Sequence, residues 1–288
     1  MKIVTHNAKF HADDLLAVAI LLIKYPDAEV VRSRENDVIS SADIVVDVGG
    51  VYDPAKNRFD HHQPEGAGKR DNGIPYASVG LVWKEFGTEI AGGFEEAQIV
   101  EEDIVMSVDA FDNGINLFTI NFPGVAAYTL GDFFESFAKD ADSLEEADKA
   151  FFEALPIANG LIRREINAAK ESVEEKKKVE KIYQESESKK FVVLPTHMHW
   201  KRALVPTEAK LVVYPRTDSN WGVQVVPNDL FSFSRKVLFP VSWAGLRDED
   251  LEKASGVPGA FFCVRDRWLA GAKSKEGAIA LAEIALNT

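Results

Sequence analysis

Apolar and polar residues fall into short blocks at the start of the chain. Met1 to Thr5 reads as a short buried strand, and Asp13-Asp14 opens an apolar helix that runs to about Lys24 and closes at Tyr25-Pro26. Glu29 to Ser33 and Asp43 to Val48 are two further β-branched runs. A strand, a helix and two more strands so close together predict an α/β fold, with a mainly parallel sheet and helices on its faces. Gly49-Gly50 ends the third strand with a sharp turn, and Val51 to Phe59 forms a small excursion that delivers Asp60-His61-His62. A Gly-rich loop spans Gly66 to Gly73; helices are expected from Ala77 to Phe86 and from Phe94 to about Phe111.

The pattern then changes. Leu144 to Lys189 is helical and highly charged, with Glu and Lys blocks from Glu171 to Lys181, which suits a solvated helix face and a connector between domains. Pro156 is expected to kink this stretch or restart it. Lys190 to Pro195, Ala203 to Val205, Ala209 to Tyr214 and Trp221 to Val226 read as strands of a second domain, and Gly277 to Leu286 as a terminal helix. The reading gives a first domain at 1–143, a helical connector at 144–189 and a smaller α/β domain at 190–288. His197 and His199 would share one face of a strand, but with no carboxylate nearby they give little support to a second metal site.

Composition narrows the class. The 288 residues are 46% hydrophobic and 27% charged with 12 Pro, so a buried core is expected. The apolar run Leu15 to Ile23 is less than half of the roughly 20 residues a bilayer crossing needs, and no basic segment leads into it, so neither a membrane span nor a signal peptide is expected. The lone Cys263 excludes an internal disulfide and a thiolate zinc site, and is consistent with a cytoplasmic location. It reads as a small core residue. A net charge of −13 argues against a broad basic face that grips long nucleic acid. Carboxylates gathered round metal ions would nevertheless present a neutral or positive site once the ions bind.

Four clusters place His or Asp just past an expected strand or at the edge of an expected helix, where the crevice of an open α/β sheet forms. His6, His11 and Asp13 follow the first strand. Asp47 lies late in an apolar strand, where a carboxylate is costly to bury unless something positive neutralises it. Asp60-His61-His62 can supply one ligand and neighbours that support it or contact phosphate. Asp109 and Asp112, one helical turn apart, complete the set, either of them able to be the ligand. Imidazole and carboxylate without thiolate suit manganese, iron, zinc or magnesium, and the several His lean away from magnesium. Two such ions, about 3.5–4 Å apart, can acidify a bridging water and neutralise a phosphoryl group.

These pieces form longer motifs: Thr5-His6-Asn7 with Phe10-His11-Ala12-Asp13-Asp14, Asp47-Val48-Gly49-Gly50-Val51-Tyr52-Asp53-Pro54, Asn57-Arg58-Phe59-Asp60-His61-His62-Gln63, and Val108 to Gly114. They resemble the Myg family of the DHH phosphoesterases. The likeness continues through Phe239-Pro240, Trp243 to Arg247, Ser255-Gly256 and Glu276-Gly277-Ala278, and so spans nearly the whole chain. The resemblance implies a DHH-like catalytic domain with two manganese ions. His6, His11 and Asp13 would be the first ligands, Asp47 the bridging carboxylate, His61 a further ligand and His62 the residue facing the phosphate. His11 stands where most relatives carry Asp. Asp112-Asn113-Gly114 resembles the superfamily's Asp-Thr-Gly, with Asp109 as the rival.

In the second domain Arg235, Arg247 and Lys273 are candidates to hold a phosphate or a terminal nucleotide. Where relatives often show Gly-Gly, this chain has Gly271-Ala272. The expected function is a two-metal phosphoesterase, a 3′-to-5′ exonuclease on short single-stranded RNA or DNA. Asp47, Asp60 and His62 would lie nearest the chemistry, and a hydroxide bridging the metals would attack. The alternatives are a phosphohydrolase of cyclic dinucleotides, polyphosphate or pyrophosphate, and a metal-binding scaffold without catalysis. No membrane partner is expected, and a homodimer is compatible with the sequence.

Overall fold

In a computed structural model describing Met1 to Thr288, the opening block forms β1 (Lys2–Thr5), α1 (Ala12–Lys24), β2 (Glu29–Arg32), a short α2 (Asn36–Ser40) and β3 (Ile44–Val46). The Val51 to Phe59 excursion is a hairpin, β4 (Tyr52–Asp53) and β5 (Arg58–Phe59), too short for strand periodicity to reveal. The sheet order is β2-β1-β3-β5-β4, parallel except for β4, which runs antiparallel to β5. The chain leaves β1 for β2 on one side and returns with β3 on the other. This order opens a crevice between the C-terminal ends of β1 and β3.

Helix α1 is buried from Ala12 to Leu21, which explains why its sequence is apolar all round. Next come α3 (Ser78–Ala91) and a longer helical run, α4 (Phe94–Val100), a π-helical turn (Glu101–Val105) and α5 (Met106–Asp112). Helix α6 (Leu130–Glu135) starts in a capping box, with Thr129 and Asp132 each satisfying the other's backbone N–H.

The charged stretch is one helix, α7 (Leu144–Glu185), and it runs through Pro156 without a break. The lost N–H at Pro156 does not restart it, and buried Phe151, Ala154, Leu155 and Ala158 hold both sides of the proline in packing. Two units divide the chain, Met1–Lys170 and Glu171–Thr288, so α7 contributes to both. In the first unit Phe151 packs edge-on against Phe10, 5.4 Å between centroids, and Asn159 donates to the Ala19 carbonyl. In the second, Val179 and Tyr183 join the core beneath the sheet.

The second unit holds β6 (Phe191–Val193), α8 (Lys201–Leu204), β7 (Leu211–Pro215), β8 (Trp221–Val225), α9 (Asp248–Ser255), β9 (Ala260–Cys263), β10 (Leu269–Ala272) and α10 (Lys275–Leu286). Its sheet order is β6-β7-β8-β10-β9, with only β6 and β7 parallel. The strand expected at Ala203 to Val205 is instead helix and turn: Ala203 and Leu204 pack inward beside Trp200, and their amides bond back to its carbonyl. His197 and His199 lie on irregular backbone, and His199 does have a carboxylate, its Nδ1 lying 2.7 Å from Glu175 on α7. No helix is long and apolar enough to cross a membrane.

Candidate metal centre

Ser172 apart, every buried polar or charged side chain lies between Thr5 and Asp109. His6, Asp13, Asp14 and Asp47 among them meet at the crevice between β1 and β3. His6 directly follows β1, and its Nδ1 lies 3.0 Å from the Asn7 carbonyl. That contact fixes the proton on Nδ1 and turns Nε2 toward Asp47 Oδ2 at 3.3 Å and Asp14 Oδ2 at 3.5 Å. The loop after His6 carries Ala8 in the left-handed region (φ 66°), a strained choice for alanine. Arg32, at the end of β2, holds it there by donating to the Ala8 carbonyl at 2.8 Å while pairing with Asp148 and stacking on Phe151. Asp47, one residue past β3, is also left-handed (φ 54°), and this turn swings its carboxylate into the crevice.

The N-terminus of α3 forms the floor. Its cap residue, Ala77, has no side-chain acceptor, and two remote carboxylates take the first four amides instead. Asp13 accepts from Ser78 N (3.0 Å) and Val79 N (2.6 Å), and Asp109 Oδ1 from Ala77 N (2.9 Å) and Gly80 N (3.0 Å). Ser78 Oγ donates to Asp47 Oδ1 at 3.0 Å. The other Asp109 oxygen faces the Arg70 guanidinium at 2.6 Å. Both aspartates are thus anchored by a helix end whose dipole favours negative charge.

Three groups of donors could each hold a cation: His6, Asp14 and Asp47; Asp47, His61 and His62; and Asp13, His61 and Asp112. Asp47 and His61 each belong to two of them. His61 Nε2 lies 3.1 Å from Asp112, 3.5 Å from Asp47 and 4.0 Å from Asp13. Ligands on bonds of about 2.1 Å are separated by roughly 3.0–3.4 Å along an octahedral or tetrahedral edge, which the His61–Asp112 and His6–Asp47 spacings match, while the 3.5 Å ones lie just beyond it and the His61–Asp13 one farther out. Asp14 Oδ2 and His61 Nε2 are buried without a hydrogen-bond partner. Such orphaned atoms, one anionic and one imidazole, fit a divalent cation, and the donor set is the oxygen and nitrogen mixture that manganese or zinc accepts.

The electrostatics agree. Burial raises Asp13 well above the usual carboxylate range, helped by the charges of Asp47, Asp112 and Asp109, and pushes Asp14 up to about 6. Burial alone would raise Asp47 too, but His6, His61 and His62 outweigh it and hold its carboxyl low. For His6 and His61 the carboxylates overcome burial and raise the imidazoles. Asp109 is pushed up to about 7 by burial, against Arg70 and the α3 amides.

Not all the residues singled out in the sequence enter these groups. His11 caps α1, is exposed, and its ring lies 6.2 Å from that of His6. Asp60 accepts from Gly50 N at 2.6 Å and meets His62 Nδ1 at 2.8 Å, leaving the other His62 nitrogen for the cleft. Asp109 stands behind the groups, bound to Arg70 and α3, while Asp112 is in one. In the second unit Arg235 bonds the Ser232 and Ser234 carbonyls beside Trp268, Arg247 caps α9, and Lys273 is exposed after β10. Sequence reasoning missed Asp14, Ser78 and Arg70. Asp14 lay within a motif already singled out, but Ser78 and Arg70 carry no local signal.

Two clefts adjoin the cluster. One, of about 540 Å³, is lined by His6, Asp47 and His62 together with Lys9 and Arg34. Another, of about 440 Å³, runs from Asp13 and Asp112 to Phe111, Phe118 and Tyr128.

Fold and centre together define an α/β protein with His and Asp clusters that could hold metal ions at the switch point of a mainly parallel sheet. A family model named for the MYG1 exonuclease, described as an uncharacterised protein family (UPF0160), matches residues 2–286. The chain belongs to that family. Among its relatives, the MYG1 exonuclease of Homo sapiens is 31% identical over 99% of this chain and 85% of its own length. MYG1 proteins of Schizosaccharomyces pombe (31% identical, 100% of this chain, 98% of that protein) and Saccharomyces cerevisiae (30%, 99% and 95%) align over similar spans.

Proposed function

We propose that this protein is a metal-dependent phosphoesterase that removes nucleotides from the end of short single-stranded RNA or DNA, in the 3′-to-5′ direction, with two manganese ions. The observation that carries the reading is the sharing of Asp47, one oxygen toward His6 and the other toward His61 and His62. A carboxylate between two donor groups suits a pair of cations, which would supply Lewis-acid charge to the phosphate and acidify water. Family membership, with relatives named exonucleases, supports the reaction class.

The protein's own residues set up the rest. Ser78 and the α3 amides fix Asp47 and Asp13, so the site needs little reorganisation when charge develops. Asp60 orients His62, whose side chain is 62% exposed, toward the cleft, where its outer nitrogen can hold or deliver a proton at a phosphate oxygen. Lys9 and Arg34 bring cations that can bond a phosphate into that cleft, beside Asp47 and Asp60.

The test is Asp47→Asn, assayed for bound manganese and for mononucleotide release from a ten-residue RNA labelled at either end. Partners lying behind metal ligands already contribute about 10- to 100-fold, so a loss above about 100-fold is expected together with loss of metal. Wild-type rates in the variant would overturn the reading. Inert RNA with cleavage of pyrophosphate or a cyclic dinucleotide would move the substrate to small phosphates.

A further inference from the structure

The segment between α5 and α6 is unusual for a surface. Phe118 is 53% exposed and Tyr128 72%, and both line the 440 Å³ cleft whose inner end is Asp13 and Asp112. Phe111 and Phe118 lie with ring centroids 5.7 Å apart and planes tilted by 34°. Tyr128 directs its hydroxyl to the Asp132 carbonyl at 3.3 Å, which keeps its ring over the cleft. A volume of this size is that of a small-ligand site, about 300–1,000 Å³. Asp132 and Glu135 line it, with no Lys or Arg among its own lining residues, and the same two carboxylates and Tyr128 also border an adjoining cleft that holds Lys9 and Lys139. A third cleft, which shares His11 with the aromatic one, carries Lys9 and Arg34.

The aromatic faces themselves offer a run of phosphates no cation, and Lys9 and Lys139 lie in the adjoining cleft. The rings can take a nucleobase, because every base has a face that stacks and an edge that donates to carboxylates. We propose that the cleft of Phe111, Phe118 and Tyr128 is the subsite for the terminal nucleoside, whose one phosphate reaches the Asp13 and Asp112 end. The rest of the strand leaves over Lys9 and Arg34. The inference rests on the exonuclease reading and adds the group that holds the terminal base.

Binding of adenosine 5′-monophosphate and of ribose 5-phosphate, measured by calorimetry on the manganese-loaded full chain, tests it, with RNA cleavage followed in parallel. One stacked base contributes about 5- to 150-fold, so the wild type should prefer the nucleotide by a ratio in that range. The double variant Phe118→Ala, Tyr128→Ala should bring the ratio to within about threefold of one, and Phe118→Trp should keep it near the wild-type value. Both rings are exposed, so folding is not at stake. A wild-type ratio near one, or a ratio that the double variant leaves unchanged, overturns the subsite even if RNA is cleaved. A ring-dependent preference in a protein that cleaves no RNA upholds the subsite and overturns the exonuclease reading alone.

Discussion

Gly80 gives the sharpest test of how the metal centre is built. It lies in the first turn of α3, where a helix ordinarily gains about 0.8–1 kcal/mol when Gly becomes Ala. Here a Cβ would fall 2.6 Å from Asp109 Cγ and 2.7 Å from Oδ1, with Oδ2 closer still. Asp109 cannot retreat, because Arg70 and the Ala77 and Gly80 amides hold both its oxygens. Overpacking costs about 1–3 kcal/mol and loss of one charged hydrogen bond about 1.5–3 kcal/mol. Against the propensity gain, Gly80→Ala should destabilise by about 2–5 kcal/mol, or lower the melting temperature by roughly 5–15 °C. Gly160→Ala on α7 is the control. Its Cβ would meet only the far end of Arg164 at 3.4 Å, so it should follow propensity and stabilise by about 0.5–1 kcal/mol. Thermal melts followed by circular dichroism compare the two, and equal shifts of the same sign would refute the account of α3 and Asp109.

Manganese affinity should fall with acid. Asp14, at about 6, carries a proton below that pH, and a cation must displace it. His6 and His61, also raised, act in the same direction. Asp14 alone weakens binding about tenfold between pH 7 and 5, so a flat titration over that range would contradict the assignment. Cys263, buried with its thiol pushed up to about 11, should resist a thiol reagent at pH 8 in the native protein and react once urea unfolds it. Rapid labelling of the folded chain would place it outside the core.

The chain's pattern alone determined the order of β1, α1, β2, β3, α3 and the helical run from α4 to α5, and the motifs from which the centre is made. Long periodic or β-branched runs such as β1, α1 and β3 carry their own signal, and His or Asp after them marks the ends of strands. The two-residue strands β4 and β5, and the helix at Lys201–Leu204, carried too little periodicity or the wrong propensity to be seen. Local sequence also left Asp109 and Asp112 equivalent. Only the packed structure separates them, because the amides of α3 and the Arg70 side chain arrive at Asp109 from 29 to 39 residues away. The same holds for the aromatic cleft. Phe111, Phe118 and Tyr128 read as scattered apolar residues until the fold sets them beside Asp13, across about a hundred positions of chain. Residue type and spacing fix what a segment can form, whereas the partner that decides a buried charge's role is supplied by whichever distant segment the core brings against it.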